Sequence, residues 1–134
     1  MEIRTWSAEL IMACTFLTDF APEGGTFAIE VSFYDEEPKL VTPKSANWTL
    51  TDLLGNVINN KQGVSISPLA STVTLTLDGD DLAILDTDAR RQVNGCVVVP
   101  RMLLVEYVYD SDLGTDRTGR QQQGFYIKDL VAVS

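Results

Sequence analysis

Histidine is absent from this chain, and cysteine nearly so, with Cys14 and Cys96 the only two. Without imidazole there is no Ser-His-Asp or Cys-His relay, and the commonest transition-metal ligand is missing. Most hydrolytic chemistry is removed at once. Two cysteines are too few for the disulfide framework of a small secreted module. Nothing in their spacing holds two Cβ atoms within bonding distance, so they read as free thiols in a reducing compartment. Positive charge is scarce as well. Ten Lys and Arg stand against 19 Asp and Glu, a net charge of -9. Phosphate backbones and anionic lipid surfaces are repelled on average, so neither nucleic acid nor membrane is an expected partner. No apolar run approaches the roughly 18 residues that span a bilayer. Ile11-Met12-Ala13-Cys14 has a faint likeness to a lipoprotein cleavage site, but Glu9 interrupts the apolar run and the segment before it is too short for a secretory leader. The expectation is a chain made in the cytoplasm without a signal peptide.

What is present is a chain of 134 residues, 45% of them hydrophobic. That length falls in the range of roughly 100–150 residues most common for one domain, and the apolar content is enough for one packed core. The centre of the pattern is Pro43 to Asn60. Ala46, Trp48 and Leu50 alternate with Asn47, Thr49 and Thr51, which predicts a half-buried strand presenting one indole to the interior. Asp52 to Asn56 supplies turn chemistry, and Val57-Ile58 restarts an extended run, so the unit reads as a β-hairpin.

Other strands follow from the same period of two. Phe27, Ile29, Val31 and Phe33 alternate with Ala28, Glu30 and Ser32, and Val73, Leu75 and Leu77 alternate with Thr72, Thr74 and Thr76. Leu103, Val105, Tyr107 and Tyr109 form the inner face of a strand running from about Arg101, with Pro100 at a strand start, an edge or a bulge. Phe125 and Ile127 face inward in a closing strand over Gly124 to Val133. Between the strands, Thr18 to Gly25 reads as a turn-rich link, Asp78 to Leu85 as one helical turn behind an acidic cap, Asp86 to Gly95 as a polar loop, and Asp110 to Gln123 as a long hydrophilic loop. Met1 to Phe20 fits a helical stripe about as well as alternation, and its context favours a strand, placed at Glu9 to Leu17. Seven or eight short strands with frequent turns and no long helix predict an all-β sandwich, and a lone core tryptophan suits the immunoglobulin-like kind.

Candidate chemistry is thin. Asp78, Asp80 and Asp81, Asp86 and Asp88, and Asp110, Asp112 and Asp116 are oxygen donors of the kind calcium takes, but the spacing is not that of an EF-hand loop, and they read as solvated turns. No carboxylate pair is placed as glycoside hydrolysis requires. Asn47-Trp48-Thr49 matches a glycosylation sequon on a proposed core strand and reads as coincidence. Trp6, Tyr107, Tyr109 and Tyr126 are candidates for an aromatic platform that stacks on sugars or anchors a partner. Arg90, Arg91, Arg117 and Arg120 place much of the scarce positive charge on two proposed loops, where they could meet the acidic surface of a neighbouring copy. Trp6 and Leu10 lie in a segment that a small sandwich does not fully cover, which marks Met1 to Ala8 as an assembly arm.

A family resemblance rests on particular residues. They are Asp19-Phe20-Ala21-Pro22 with Gly24-Gly25-Thr26-Phe27; Trp48-Thr49-Leu50-Thr51-Asp52 with Gly55-Asn56-Val57; Leu77 with Gly79-Asp80-Asp81-Leu82-Ala83; Arg90-Arg91; and Val105-Glu106 with Tyr109-Asp110-Ser111-Asp112-Leu113-Gly114. Over these the chain resembles small structural proteins of tailed bacteriophages and prophages that have an immunoglobulin-like sandwich. Departures from the pattern fall at Val93 to Pro100 and at Arg117 to Gln123. The resemblance implies an antiparallel immunoglobulin-like (fibronectin-like) β-sandwich of seven or eight strands over 20–134, behind an N-terminal strand or arm over 1–19. It implies a non-enzymatic virion component of the tail or head-to-tail region, without catalytic residues or cofactor. Its partners would be other virion structural proteins and copies of itself, and it would be made in the host bacterial cytoplasm and reside in the virion. A carbohydrate-binding or adhesive module is the alternative expectation.

Overall fold

The computed structural model describes residues 4–6 and 16–130. Nine strands make up most of them: β1 (Arg4–Trp6), β2 (Phe16–Pro22), β3 (Thr26–Ser32), β4 (Ser45–Thr51), β5 (Val64–Ser65), β6 (Thr72–Asp78), β7 (Arg91–Val93), β8 (Cys96–Ser111) and β9 (Gly114–Lys128). The only helical piece among the described residues is a 3-10 turn over Gly79–Leu82. One sheet has the order β1-β3-β6, and the other β2-β9-β8-β4-β5 with β7 added to β8.

The alternating residues do what their spacing predicts. Phe27, Ile29 and Val31 of β3, with Phe33 beyond it, are buried, as are Ala46, Trp48 and Leu50 of β4 and Leu103, Val105, Tyr107 and Tyr109 of β8. The two sheets meet through these faces. Phe27 stacks on Phe125 of β9 at 5.6 Å, and Phe33 meets Tyr107 edge-on at 4.9 Å. Each large side chain removed from water in this way is favourable by roughly 1.5–3 kcal/mol before the cost of ordering it.

The structure corrects several expectations. Among the described residues there are nine strands rather than seven or eight, and they are not all antiparallel, since β1 runs parallel to β3 and β2 parallel to β9. The proposed link at Thr18 to Gly25 is strand as far as Pro22, because pairing with β9 continues to Pro22↔Lys128. A boundary at residue 19 therefore falls inside β2. The proposed strand at Glu9 to Leu17 lies largely outside the described residues, which resume with β2 at Phe16. Val57-Ile58 does return antiparallel onto the end of β4, with the Ile58 N–H on the Leu50 carbonyl at 2.9 Å, but only briefly. It makes one isolated bridge, Val57 to Thr51, after which Asn59 and Asn60 take positive φ and turn the chain away, and β5 pairs with β4 instead.

The two loops predicted near the end are mostly strand. Asn94 and Gly95, at φ of 51° and 81°, close a two-residue turn between Val93 and Cys96, and this tight turn makes β7 out of the predicted Asp86 to Gly95 loop. Arg117 to Gln123 belongs to β9, which pairs with β8 along a hairpin from Val98↔Lys128 to Ser111↔Gly114. Periodicity hid this strand because its inward positions are polar, with Gln121 and Gln123 both buried. Gly119 sits opposite Tyr107, and a Cβ there would lie 2.2 Å from the tyrosine ring. Only glycine lets that ring lie across β9. Pro100 is not at an end of β8 but inside it. On the side away from β9, β7 pairs as far as Val98 and β4 begins at Met102, so proline falls in the gap where a donor would have no partner.

Candidate interface

Polar side chains gather at the two ends of the long β8–β9 hairpin. At its tip, Glu36 accepts hydrogen bonds from Ser111 Oγ, from Tyr109 Oη at 2.7 Å and from Arg117 Nε at 3.3 Å. The Ser111 and Tyr109 hydroxyls, aided by the Arg117 charge, hold the Glu36 carboxyl down at about 2, while burial and the same carboxylate push Tyr109 up to about 12. Lys44 bridges Asp110 and Asp116, and Lys39 reaches Asp112. The hydrogen bonds they donate to these carboxylates, together with the carboxylate charges, raise both ammonium groups, chiefly through Asp116 for Lys44 and Asp112 for Lys39. These aspartates tie the hairpin tip to the loop between β3 and β4. Among the described residues no group of three or more acidic or thiol side chains is placed to hold a metal ion.

At the opposite end the turn after β4 and the loop before β7 enclose a cavity of about 470 Å³ between Leu53, Leu54, Asp88, Arg90, Arg91 and Pro100. Leu54 is 88% exposed and Leu53 47%, so this rim carries apolar surface in water. Beneath it Arg101 is fully buried. Its Nη1 and Nη2 donate to the two Asp88 oxygens at 2.9 and 2.7 Å, and to the carbonyls of Pro100 and Ala83. Burial alone would raise the Asp88 carboxyl. The Arg101 guanidinium and the Leu85 N–H override that and hold it below the ordinary range. Asp52 folds its own turn by accepting from the N–H groups of Leu54 and Asn56 and from the Asn56 amide. In the 3-10 turn, Asp81 accepts from the Asp78 N–H and from Asn59.

The four arginines singled out by sequence are placed differently from expectation. Arg91 is in β7 and Arg117 and Arg120 are in β9, so three of them are on strands rather than loops. Each meets a group in its own chain. Arg90 contacts Asp129 at 2.6 Å, Arg117 contacts Glu36, Arg120 contacts Glu106 of β8 at 3.2 Å, and Arg91 lies 6.0 Å above the Tyr126 ring. The Arg120–Glu106 pair, exposed on both sides, contributes little to folding and stays open to exchange for another partner, whereas the Asp129 side chain that Arg90 meets is nearly buried. Leu10 and the side chain of Trp6 lie outside the described residues, while the backbone of Trp6 pairs with Val31 in β1.

The aromatic platform is not assembled as expected. Tyr107 and Tyr109 are interior, with Tyr107 Oη donating to the Tyr34 carbonyl at 2.8 Å. Tyr126 is half-buried on the outer face of its sheet. It stacks on Phe16 at 4.6 Å and meets Phe20 edge-on at 6.0 Å. Cys96 carries a free, half-buried thiol, and Cys14 lies outside the described residues. No described helix is long and apolar enough to cross a membrane.

Sequence alone missed one surface altogether. β6 is the last strand of its sheet, and its second edge has no partner among the described residues. No family model, curated protein or solved structure matches the chain.

Proposed function

We propose that this chain is a non-enzymatic structural subunit of a tailed-phage virion, in the tail or the head-to-tail region, that works through contacts with other virion proteins and with copies of itself. The observation that carries this reading is the second edge of β6, which has no partner among the described residues, on a seven-residue strand that offers backbone donors and acceptors to a neighbour. The exposed Leu53 and Leu54 and the four surface arginines give such contacts apolar area and charge. We read the domain as an immunoglobulin-like sandwich. Support for that comes from β3 paired with β6 in one sheet and β4, β8 and β9 adjacent in the other, with Trp48 turned into the core between them.

The phage-particle part of the reading rests on the sequence resemblance alone. The sugar-binding alternative has less to stand on, because Tyr107 is interior and the Tyr126 face is stacked against Phe16. Mass spectrometry of purified virions from a phage or prophage that encodes the chain tests the proposal. Peptides from the chain at the level of known structural proteins are the expected result. Their absence from the particle overturns it.

A further inference from the structure

The hydrogen-bond pattern of β6 specifies what its open edge presents. Phe33 N–H donates to the Ser71 carbonyl and Gly79 N–H to the Gly25 carbonyl, which continues the β3–β6 register at both ends. In an antiparallel ladder the bonded pairs alternate. Ser71, Val73, Leu75, Leu77 and Gly79 therefore spend their backbone groups on the β3 side. Thr72, Thr74, Thr76 and Asp78 turn theirs to the open edge. The strand has none of the usual edge defences, since it contains no proline, lysine or arginine and no bulge interrupts its pairing. Along the same flank the other sheet stops at the two-residue β5, and a cavity of about 300 Å³ lies between Trp48, Ile66, Val73 and Leu75.

From this we infer that β6 is a self-association strand, pairing antiparallel with β6 of a second copy about a two-fold axis at Leu75. That register sets Thr72 against Asp78 and Thr74 against Thr76 of the partner as bonded pairs, and it engages all four outward-turned residues, for about eight backbone hydrogen bonds. The inner row then places Val73 against Leu77 and Leu75 against Leu75, which extends the apolar interior across the flank where it is open. This register removes the charge objection to a second copy as the occupant. Each chain carries -9, so copies repel on most approaches. In this register no carboxylate of β3 or β6 faces another across the sheet. Asp78 lies opposite Thr72, and Glu30, the β3 partner of Thr74, lies in the row that ends at the other copy's Ala28. The same edge reached by a parallel partner would not be symmetric and would not close.

The inference deepens the reading of the chain as a subunit-contact protein. Its test is sedimentation equilibrium on the full chain over a concentration series, with circular dichroism to verify the fold of each variant. Wild type is expected to dimerise. Thr74→Lys with Thr76→Lys sets like charges against each other at both bonded pairs and should raise the dimer dissociation constant about tenfold or more. Thr74→Lys with Thr76→Glu sets opposite charges against each other in the same register and should return it to within about threefold of wild type. A wild-type chain that stays monomeric at its highest soluble concentration overturns the pairing. So do two variants that associate equally, since only this register separates them. Either result leaves membership of the particle to be decided by mass spectrometry.

Discussion

Replacing Asp88 by alanine strands a cation in a place that excludes water. Arg101 is fully buried, its two terminal nitrogens are held by the Asp88 oxygens at 2.9 and 2.7 Å, and its Nε has no hydrogen-bond partner. After the substitution only the carbonyls of Pro100 and Ala83, at 2.9 and 3.2 Å, remain to it. Breaking a buried pair by removing one partner costs about 3–5 kcal/mol. In a domain of this size each kcal/mol moves Tm by about 3–6 °C, so the variant should melt about 9–30 °C early. Urea unfolding followed by tryptophan fluorescence reports the loss through the buried Trp48. The double variant Asp88→Leu with Arg101→Met removes both charges and should recover to within about 1.5 kcal/mol of wild type. The pH dependence has a definite sign. Because the folded Asp88 carboxyl is held below its unfolded value, its contribution is complete above about pH 4 and fades as pH falls through the lower folded value, so the gap between variant and wild type should close in acid. A single variant within about 1 kcal/mol of wild type, or a double variant as weak as the single one, would refute this account of Arg101.

Three further outcomes are expected. Gly119→Ala drives a Cβ to 2.2 Å from the Tyr107 ring, which Phe33 and the hydrogen bond to Tyr34 hold in place, and should cost about 1–3 kcal/mol in urea unfolding. Gly95→Ala meets nothing within 4 Å but keeps a φ of +81°, so only backbone strain acts, and the same measurement should give about 1 kcal/mol. Glu36 is held at about 2 against an ordinary 4.5, so its contribution is present above about pH 4.5 and is lost towards pH 2; Glu36→Gln should flatten the acid limb of a stability-against-pH curve over that window.

The core was legible because its residues alternate and its turns are chemically marked. Phe27 to Phe33, Trp48, Val73 to Leu77 and Leu103 to Tyr109 all point inward as their period of two predicts, and Asn94-Gly95 closes the turn it advertises. β9 was not legible. There the inner face carries Gln121 and Gln123 where a strand pattern needs apolar residues, and Gly119 just before them looks like a breaker until the tyrosine ring it accommodates is seen. Parallel pairing of the N-terminal strands is invisible locally, since it depends on partners about 25 residues away for β1 and more than 100 away for β2. Arg101 looked like any strand arginine. Its burial against Asp88 arises from the loop before β7 folding back over β8, a tertiary event that composition does not encode. The open β6 edge is likewise a property of the sheet, because whether a strand is central or terminal is decided by its neighbours.

Reconstruction of the intact particle by electron cryomicroscopy decides whether the chain is one of its structural subunits. Density for this two-sheet domain is expected in repeated copies at the tail or the head-to-tail region, with adjacent domains touching through contacts that fit the chain's exposed edge and loop surfaces. A complete particle whose every density is assigned to other chains, with this one found only free in the lysate, would contradict that expectation.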